Sequence, residues 1–306
     1  MPVRNVEDFI GDALGSALRQ TLSDIEVLVI DDHCTDGTIP IVMNLAQSDS
    51  RVRVLPSSGD RLAAARNTGI EASRGQYIAI LDGDDVWEPE NLARQVSALE
   101  RHAGVDLTFA AALWIDAAGN PLRRTVVRWN GALSYEQLLV EFFPVTASAM
   151  VARRTAVEAV GGFDVAQTSG GDHDLALCIA LLREGNIWGL PEILLRYRRR
   201  PGQVTSDPGG RMLAWERMLE KHRGLAPAVV NRVRRRATAR LQRALAAAAW
   251  ESGKYRDARS LLAQALRGAP GDLLRDKRTW RTGAAVLSSW LPAAVRGPLE
   301  RRARHA

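Results

Sequence analysis

The sequence predicts an α/β domain with a mainly parallel sheet and helices on both of its faces, followed by an all-helical extension. Three observations carry this. Apolar runs of strand length alternate with helix-spaced segments, those runs are continuously apolar, and the pattern beyond Gly210 is nearly all helical. Strands covered by helices on both faces read as unbroken apolar runs, because neither face meets water.

Taken in order, residues 5–20 place Phe9, Ile10, Leu14, Ala17 and Leu18 at helix spacing. "IEVLVIDD" is a strand ending in acid. "CTDGTIPIVMNLAQ" is a loop opening a helix, with Thr38 as its cap and Pro40 in its first turn. "RVRVLPS" is a short strand, and "RLAAARNTGIEASRG" a helix stopped by Gly75. "YIAILDGDD" is a strand again, and "EPENLARQVSALERH" a helix with Pro89 near its start. From about 105 strand and helix mix, through "VDLTFAAALWID" and "TASAMVARRTAVEAVGGFD". "GGDHDLALCIALLREG" is a helix opening on acid, and "NIWGLPEILLRYRRRPG" a strand with a tail. Beyond 210, Gly253, Tyr255, Ala258, Ala265, Leu266 and Pro270 hold the spacing of one tetratricopeptide-like helix hairpin. The domains expected are 1–210, with parts 1–100 and 101–210, and a basic helical extension at 211–306.

The net charge of +6 hides a division: residues 211–306 carry 22 Lys plus Arg against 7 Asp plus Glu, and residues 1–210 carry 19 against 28. The acidic front suits a metal or a polar substrate. The basic back suits water or an anionic surface. Its run "RVRRRATAR" reads as a solvated helix face, and no nucleic-acid module accompanies it. No apolar run approaches the ~20 residues that span a bilayer. The start "MPVRNVEDFIGDAL" lacks a signal-peptide core. Two cysteines, Cys34 and Cys178, form no disulfide framework and fit the reducing cytoplasm.

In parallel sheets ligands collect at the carboxyl ends of strands. Asp31, Asp32, Asp82, Asp84 and Asp85 all follow strand ends. Three carboxylates in four positions repel one another, so the loop calls for a positive partner. A divalent cation with oxygen ligands, Mn2+ or Mg2+, meets that need and leaves room for phosphate oxygens. Taken alone, Asp-x-Asp also describes a solvated turn.

More residues agree in one order: Asn5 to Glu7, Gln20-Thr21, Asp31-Asp32, Thr35 to Thr38, Ala65-Arg66-Asn67, Gly69, Gly75, Asp82 to Asp85, Pro89 and Leu92. Residues 2 to about 205 thereby resemble an inverting family 2 glycosyltransferase of the GT-A fold, Rossmann-like. The resemblance implies that Asp32 hydrogen-bonds the nucleotide base, with Asp31 beside it, and that Pro2 to Arg4 line the base pocket. Glu7 joins that nucleotide-sugar set. Arg61 or Arg66 helps to hold the nucleotide. Asp82 faces ribose and metal, Asp84 ligates the metal, and Asp85 is structural.

"GGFDVAQTSGGDHDLALCIALL" is similar to the family segment in which a Gly-Gly-Phe-Asp turn precedes a Glu-Asp pair at a helix start. Asp172 falls on that aspartate and is the general base implied. The bland reading is that Asp172 and Asp174 favour a helix N-terminus. His173 reads as packing, His33 and Cys34 as loop-shaping, and Trp114, Trp129 and Trp188 as core.

Four departures stand out. The apolar strand that opens the family's fold is missing before Pro2, so an upstream start is expected. Arg4 replaces an aromatic near the base. Gly171 stands where Glu is common, and Arg199 where His is common, an Arg that contacts diphosphate instead. The activity implied is metal-dependent transfer of a sugar from a nucleoside diphosphate, UDP-linked, to a hydroxyl of a glycan or lipid-linked acceptor, in the biosynthesis of surface polysaccharide. The basic tail "WLPAAVRGPLERRARHA" suits the anionic inner face of the membrane. The alternative is a catalytically lapsed GT-A domain that binds nucleotide or a protein partner.

Overall fold

A computed structural model describes residues 1–125, 129–141, 146–200, 207–288 and 290, with the backbone alone for 123–125. The tail from 291 onward, expected to meet lipid, lies outside the described residues. So does the part of "RYRRRPGQVTS" beyond Arg200. The chain divides into two compact units, Met1–Tyr135 with Phe143–Arg200, and Glu136–Phe142 with Pro201–Ala306.

In chain order the first unit runs β1 (Pro2–Val3), α1 (Glu7–Leu18), β2 (Val27–Asp31), α2 (Thr38–Ser48), β3 (Val52–Pro56), α3 (Leu62–Ala72), β4 (Tyr77–Ala79), β5 (Val86–Trp87), α4 (Asn91–Arg101), β6 (Leu107–Ile115), β7 (Pro121–Thr125) and β8 (Gly131–Leu133). After α5 (Tyr135–Glu141), which falls mostly in the second unit, come β9 (Met150–Arg153), α6 (Arg154–Ala159), α7 (Gly171–Ala180) and β10 (Ile187–Arg198).

Two sheets result. β1, β2 and β3 are all parallel, with Pro2 opposite Ile30 and Val27 opposite Val52. The second sheet is mixed, in the order β4-β9-β6-β10-β5, with β7 on β6 and β8 on β10. Its longest pairing, β6 with β10, is parallel; its other pairings are antiparallel. Val3, Ile10, Leu14, Val29, Leu81, Leu99 and Leu195 pack together as the centre of one core cluster.

Local chemistry sets the element ends. Gly37, not Thr38, precedes α2. Asp36 accepts from the Thr38 amide at 3.0 Å, and the buried Thr38 hydroxyl accepts from the Val6 amide at 2.9 Å. The expected strand through Asp85 stops at Ala79, because the acidic residues close a turn in which the Asp85 amide reaches the Asp82 carbonyl at 3.1 Å.

Between the sheets the first unit holds a cavity of about 740 Å³. Val27, Leu28, Ile78, Ile80, Leu92 and Val96 are among its lining residues. β4 ends its own sheet there, and β1 covers the edge of β2 only opposite Ile30 and Asp31. Pro2 and Arg66 are among its lining residues, whereas none of Asp31, Asp32, Asp82, Asp84 or Asp172 is.

The second unit is helical: α8 (Pro208–Leu225), α9 (Pro227–Glu251), α10 (Tyr255–Gly268), α11 (Pro270–Arg275) and α12 (Lys277–Ser288). α9 and α10 form a hairpin that turns at Gly253, whose φ of +74° suits glycine. Small buried residues, Ala246, Ala249, Ala258 and Ala265, let helices approach closely. Part of the basic run is paired inside this unit. Arg236 and Arg240 meet Asp272 at 2.7 and 2.8 Å, and Arg232 meets Glu136. Among the described residues no helix is long and apolar enough to cross a membrane.

Candidate active site

The turn from Asp82 to Asp85 is where three distant segments meet, and each of its carboxylates has a different answer to the repulsion. Asp82 is held by Arg66 of α3, whose Nη2 donates to both carboxylate oxygens, at 2.8 and 3.0 Å. Arg66 is 6% exposed, and its guanidinium lies 4.9 Å from the centre of the Phe163 ring. Asp84 is held by Arg200, whose Nε donates to Oδ2 at 2.7 Å. Asp85 is fully buried and accepts from the Arg198 amide at 2.9 Å. Burial, then the neighbouring Asp84 and Asp82 charges, push its pKa well above the usual carboxylate range.

β10 delivers these arginines. Successive residues of an extended chain point to opposite sides, so Arg198 and Arg200 share one side and Arg199 the other. Arg198 donates from Nε to the Asp84 carbonyl at 2.8 Å and from Nη1 to the Ala117 carbonyl at 2.8 Å; its Nη2 lies 3.2 Å from Asp12. Arg199, expected near the diphosphate, instead sets its guanidinium 4.9 Å from the centre of the Trp114 ring. The residue that meets Asp84 is its neighbour, Arg200.

Asp172 stands in the first turn of α7 and is partly buried. Its Oδ1 accepts from the His173 amide at 3.0 Å. Burial raises its pKa, the Arg66 charge works against that, and Asp82 adds to it. The charge of the buried Arg66, paired with Asp82, is thus also felt at Asp172. A turn fixes this arrangement: the Asn67 side chain donates to the Phe163 carbonyl and accepts from its amide, both at 2.8 Å. The residue before, Gly162, has φ +73°, and a Cβ there would lie 2.7 Å from Asn67 Oδ1. His173 is buried, and Asp174 beside it is buried too.

The other acidic pair sits at the end of β2. Asp32 is buried; its amide donates to the Val3 carbonyl at 2.9 Å, and its Oδ2 lies 3.6 Å from Arg4 Nη1. Asp31 Oδ1 accepts from the Cys34 amide at 2.8 Å. β1 carries Pro2 alongside. Glu7 braces the following loop by accepting from the Gly37 amide at 2.6 Å. Arg61 is exposed just before α3, and no hydrogen bond or ion pair among the described residues joins it to Asp82, Asp84 or Asp172. Of the two arginines considered for the nucleotide, Arg66 is the one at the acidic turn.

The donor set suits a hard divalent cation. Arg200 occupies only Oδ2 of Asp84, and among the described residues no hydrogen bond or ion pair engages Oδ1. Sequence reasoning singled out Asp82, Asp84, Asp172 and Arg66, quoted Asn67 and the Gly-Gly-Phe-Asp turn without giving them a positioning role, and missed Arg198 and Arg200. The three consecutive arginines were the available signal for the last two; which one faces the acid depends on strand register.

The Glycosyl transferase family 2 model matches residues 1–161. The putative teichuronic acid biosynthesis glycosyltransferase TuaG of Bacillus subtilis (strain 168) is 29% identical over 211 residues, 67% of this chain and 80% of TuaG. The Escherichia coli UDP-Glc:alpha-D-GlcNAc-diphosphoundecaprenol beta-1,3-glucosyltransferase WfgD is 39% identical over 100 residues, 32% of this chain and 39% of WfgD. The uncharacterized B. subtilis glycosyltransferase EpsJ is 47% identical over 85 residues, and that match spans only 25% of its length. Among solved structures, S. aureus TarS 1-349 in complex with UDP-GlcNAc aligns with TM-score 0.58 and 17% identity, over 99% of this chain and 85% of that one. The mannosyltransferase PcManGT from Pyrobaculum calidifontis, in complex with GDP-Man and Mn2+, aligns with TM-score 0.59 and 19% identity, over 99% and 83%. The first unit thus has the GT-A fold of these transferases, and the chain belongs to glycosyl transferase family 2.

Proposed function

We propose that this chain moves a sugar from a nucleoside diphosphate, UDP-linked, to a hydroxyl of a glycan or lipid-linked saccharide, inverting the anomeric carbon. The observation that carries the reading is the pairing of Asp82 with Arg66 and of Asp84 with Arg200 at one turn, which brings together segments more than a hundred residues apart. Relatives support the donor and acceptor classes: WfgD is named for UDP-Glc and a diphosphoundecaprenol acceptor, and TarS was solved with UDP-GlcNAc.

On this reading Asp32 accepts from the nucleotide base at the end of β2, with Asp31, Pro2 and Arg4 around it. Asp82 faces the ribose while Arg66 keeps its carboxylate in place. Asp84, with Asp82, would hold Mn2+ or Mg2+, which as a Lewis acid neutralises charge on a departing diphosphate. Asp172 accepts the acceptor hydroxyl's proton as that oxygen attacks from the side opposite the nucleotide. Burial raises its pKa and so makes it a stronger base than an exposed aspartate, while the Arg66 charge works against that rise.

Calorimetric titration of UDP, with Mn2+ and then with EDTA, tests the donor half. Binding should require the metal and be lost in Asp84→Asn. Asp172→Asn should keep UDP binding and lose about 10²–10⁴-fold in transfer. A variant that binds no UDP would instead make Asp172 a donor-site residue, and unchanged transfer would remove it from the chemistry.

A further inference from the structure

The acidic turn already carries its own cations. Asp82 is neutralised by Arg66, Asp84 by Arg200, and Asp85 is pushed toward its neutral form. Two of the arginines on it differ in how they are held. Arg198 is almost fully buried and spends Nε and both Nη atoms on three segments, so it is a fixed strut. Among the described residues Arg200 makes one hydrogen bond, through Nε, and its side chain is 25% exposed. Among the described residues its two Nη atoms have no partner. Its guanidinium also lies 5.5 Å from the centre of the Phe9 ring, which supports the plane without consuming donors.

A guanidinium whose two-Nη edge is free at the mouth of an acidic turn is shaped to take a phosphate in a two-point grip. We infer that Arg200 binds the diphosphate of the donor, and that Asp84 holds it in waiting when no donor is present. This rests on the donor site proposed above. A diphosphate carries more charge than one carboxylate, so its arrival favours transfer of the guanidinium from Asp84 to phosphate oxygens. That move uncovers Asp84 Oδ2 at the moment a cation is needed there. Arg200 and a cation compete for Asp84 without the nucleotide and cooperate once it is bound.

The test compares UDP, UMP and Mn2+ alone as probes of the full chain and of Arg200→Ala and Arg200→Lys, each first shown folded by its melting transition. Arg200→Ala should weaken UDP by about tenfold or more, the scale of a charge-assisted hydrogen bond. UMP, which lacks the second phosphate, should change by less than about twofold on the same scale. Mn2+ without nucleotide, followed by electron paramagnetic resonance, should bind Arg200→Ala more tightly than wild type. Arg200→Lys should fall between on UDP. Equal losses for UDP and UMP, or unchanged UDP and Mn2+ affinities, would overturn the inference. Asp84→Asn separates the two failures. If it abolishes UDP binding while Arg200→Ala leaves it whole, the donor site stands and the role of Arg200 falls. If wild type does not prefer UDP to UMP, both fall.

Discussion

Asp85 is the most confined of the three turn carboxylates, and its energetics run opposite to those of an ordinary paired aspartate. Its folded pKa is raised, so the folded state binds its proton more tightly than the unfolded chain does. The stability this contributes is fully present below the unfolded carboxylate pKa and is lost as pH rises through the folded value. Above the unfolded value the folded state must either keep a proton that the unfolded chain sheds or bury the charge, and an amide of the same shape removes that cost while Oδ1 still accepts from the Arg198 amide. Asp85→Asn should therefore raise the melting temperature near pH 7 and give no gain near pH 4. Thermal scans of both proteins across that window check it; an equal shift at both pH values, or a loss at pH 7, contradicts the assignment of a buried titrating group. Asp84 differs because it is partly exposed and paired, which leaves it available to ligands.

At the level of elements, the site depends on how turns are pinned to the sheet. Gln20 bridges α1 to the segment after the acidic turn, donating to the Glu88 carbonyl at 2.8 Å and accepting from the Leu92 amide at 2.9 Å. The Trp87 indole donates to the Ser148 carbonyl at 2.7 Å, and the Asp82 amide donates to the Ser148 hydroxyl at 3.1 Å. Asn67 does the same for the Gly-Gly-Phe turn leading to α7. Asn67→Ala leaves an amide and a carbonyl without partners, at a cost of about 1–3 kcal/mol each where water cannot reach them. It should lower the denaturant midpoint and reduce transfer more than UDP affinity, because the turn it anchors leads to Asp172 and not to β2. Loss of UDP affinity alone would place the turn on the donor side.

At the scale of the whole molecule, the cavity between β2 and β4 in the first unit is a departure from close packing. It presents a free strand edge and apolar side chains to the same space. The Met1 amino group lies at its border, donating to the Leu28 carbonyl at 2.7 Å, and burial pushes its pKa down to about 5. Joining five apolar residues to Met1 in the register of β1 would continue that strand between β2 and β4 and remove the buried amine. Each newly buried aliphatic side chain is worth roughly 1.5–3 kcal/mol. Such a chain should melt higher than one carrying five Gly and Ser residues, with slower amide exchange at Val27–Val29 and Tyr77–Ala79. Equal melting temperatures and equal exchange would show that the space does not accept a strand.

The sequence by itself determined the α/β class, the acidic strand ends and the family, because these rest on local periodicity and on spaced residues along one chain. Apolar runs such as Val27–Ile30 are strands wherever helices cover them, and Asp82 to Asp85 must end one because buried carboxylates repel. What tertiary structure alone decided was pairing. The separation into a parallel sheet and a mixed one depends on long-range hydrogen bonds that leave no local pattern. Arg66 rather than Arg61, and Arg200 rather than Arg199, stand at the acid because helix face and strand register point one side chain inward and turn its neighbour away. Charge counted along the chain called for a cation at that turn; only the fold showed that much of it comes from the protein's own arginines.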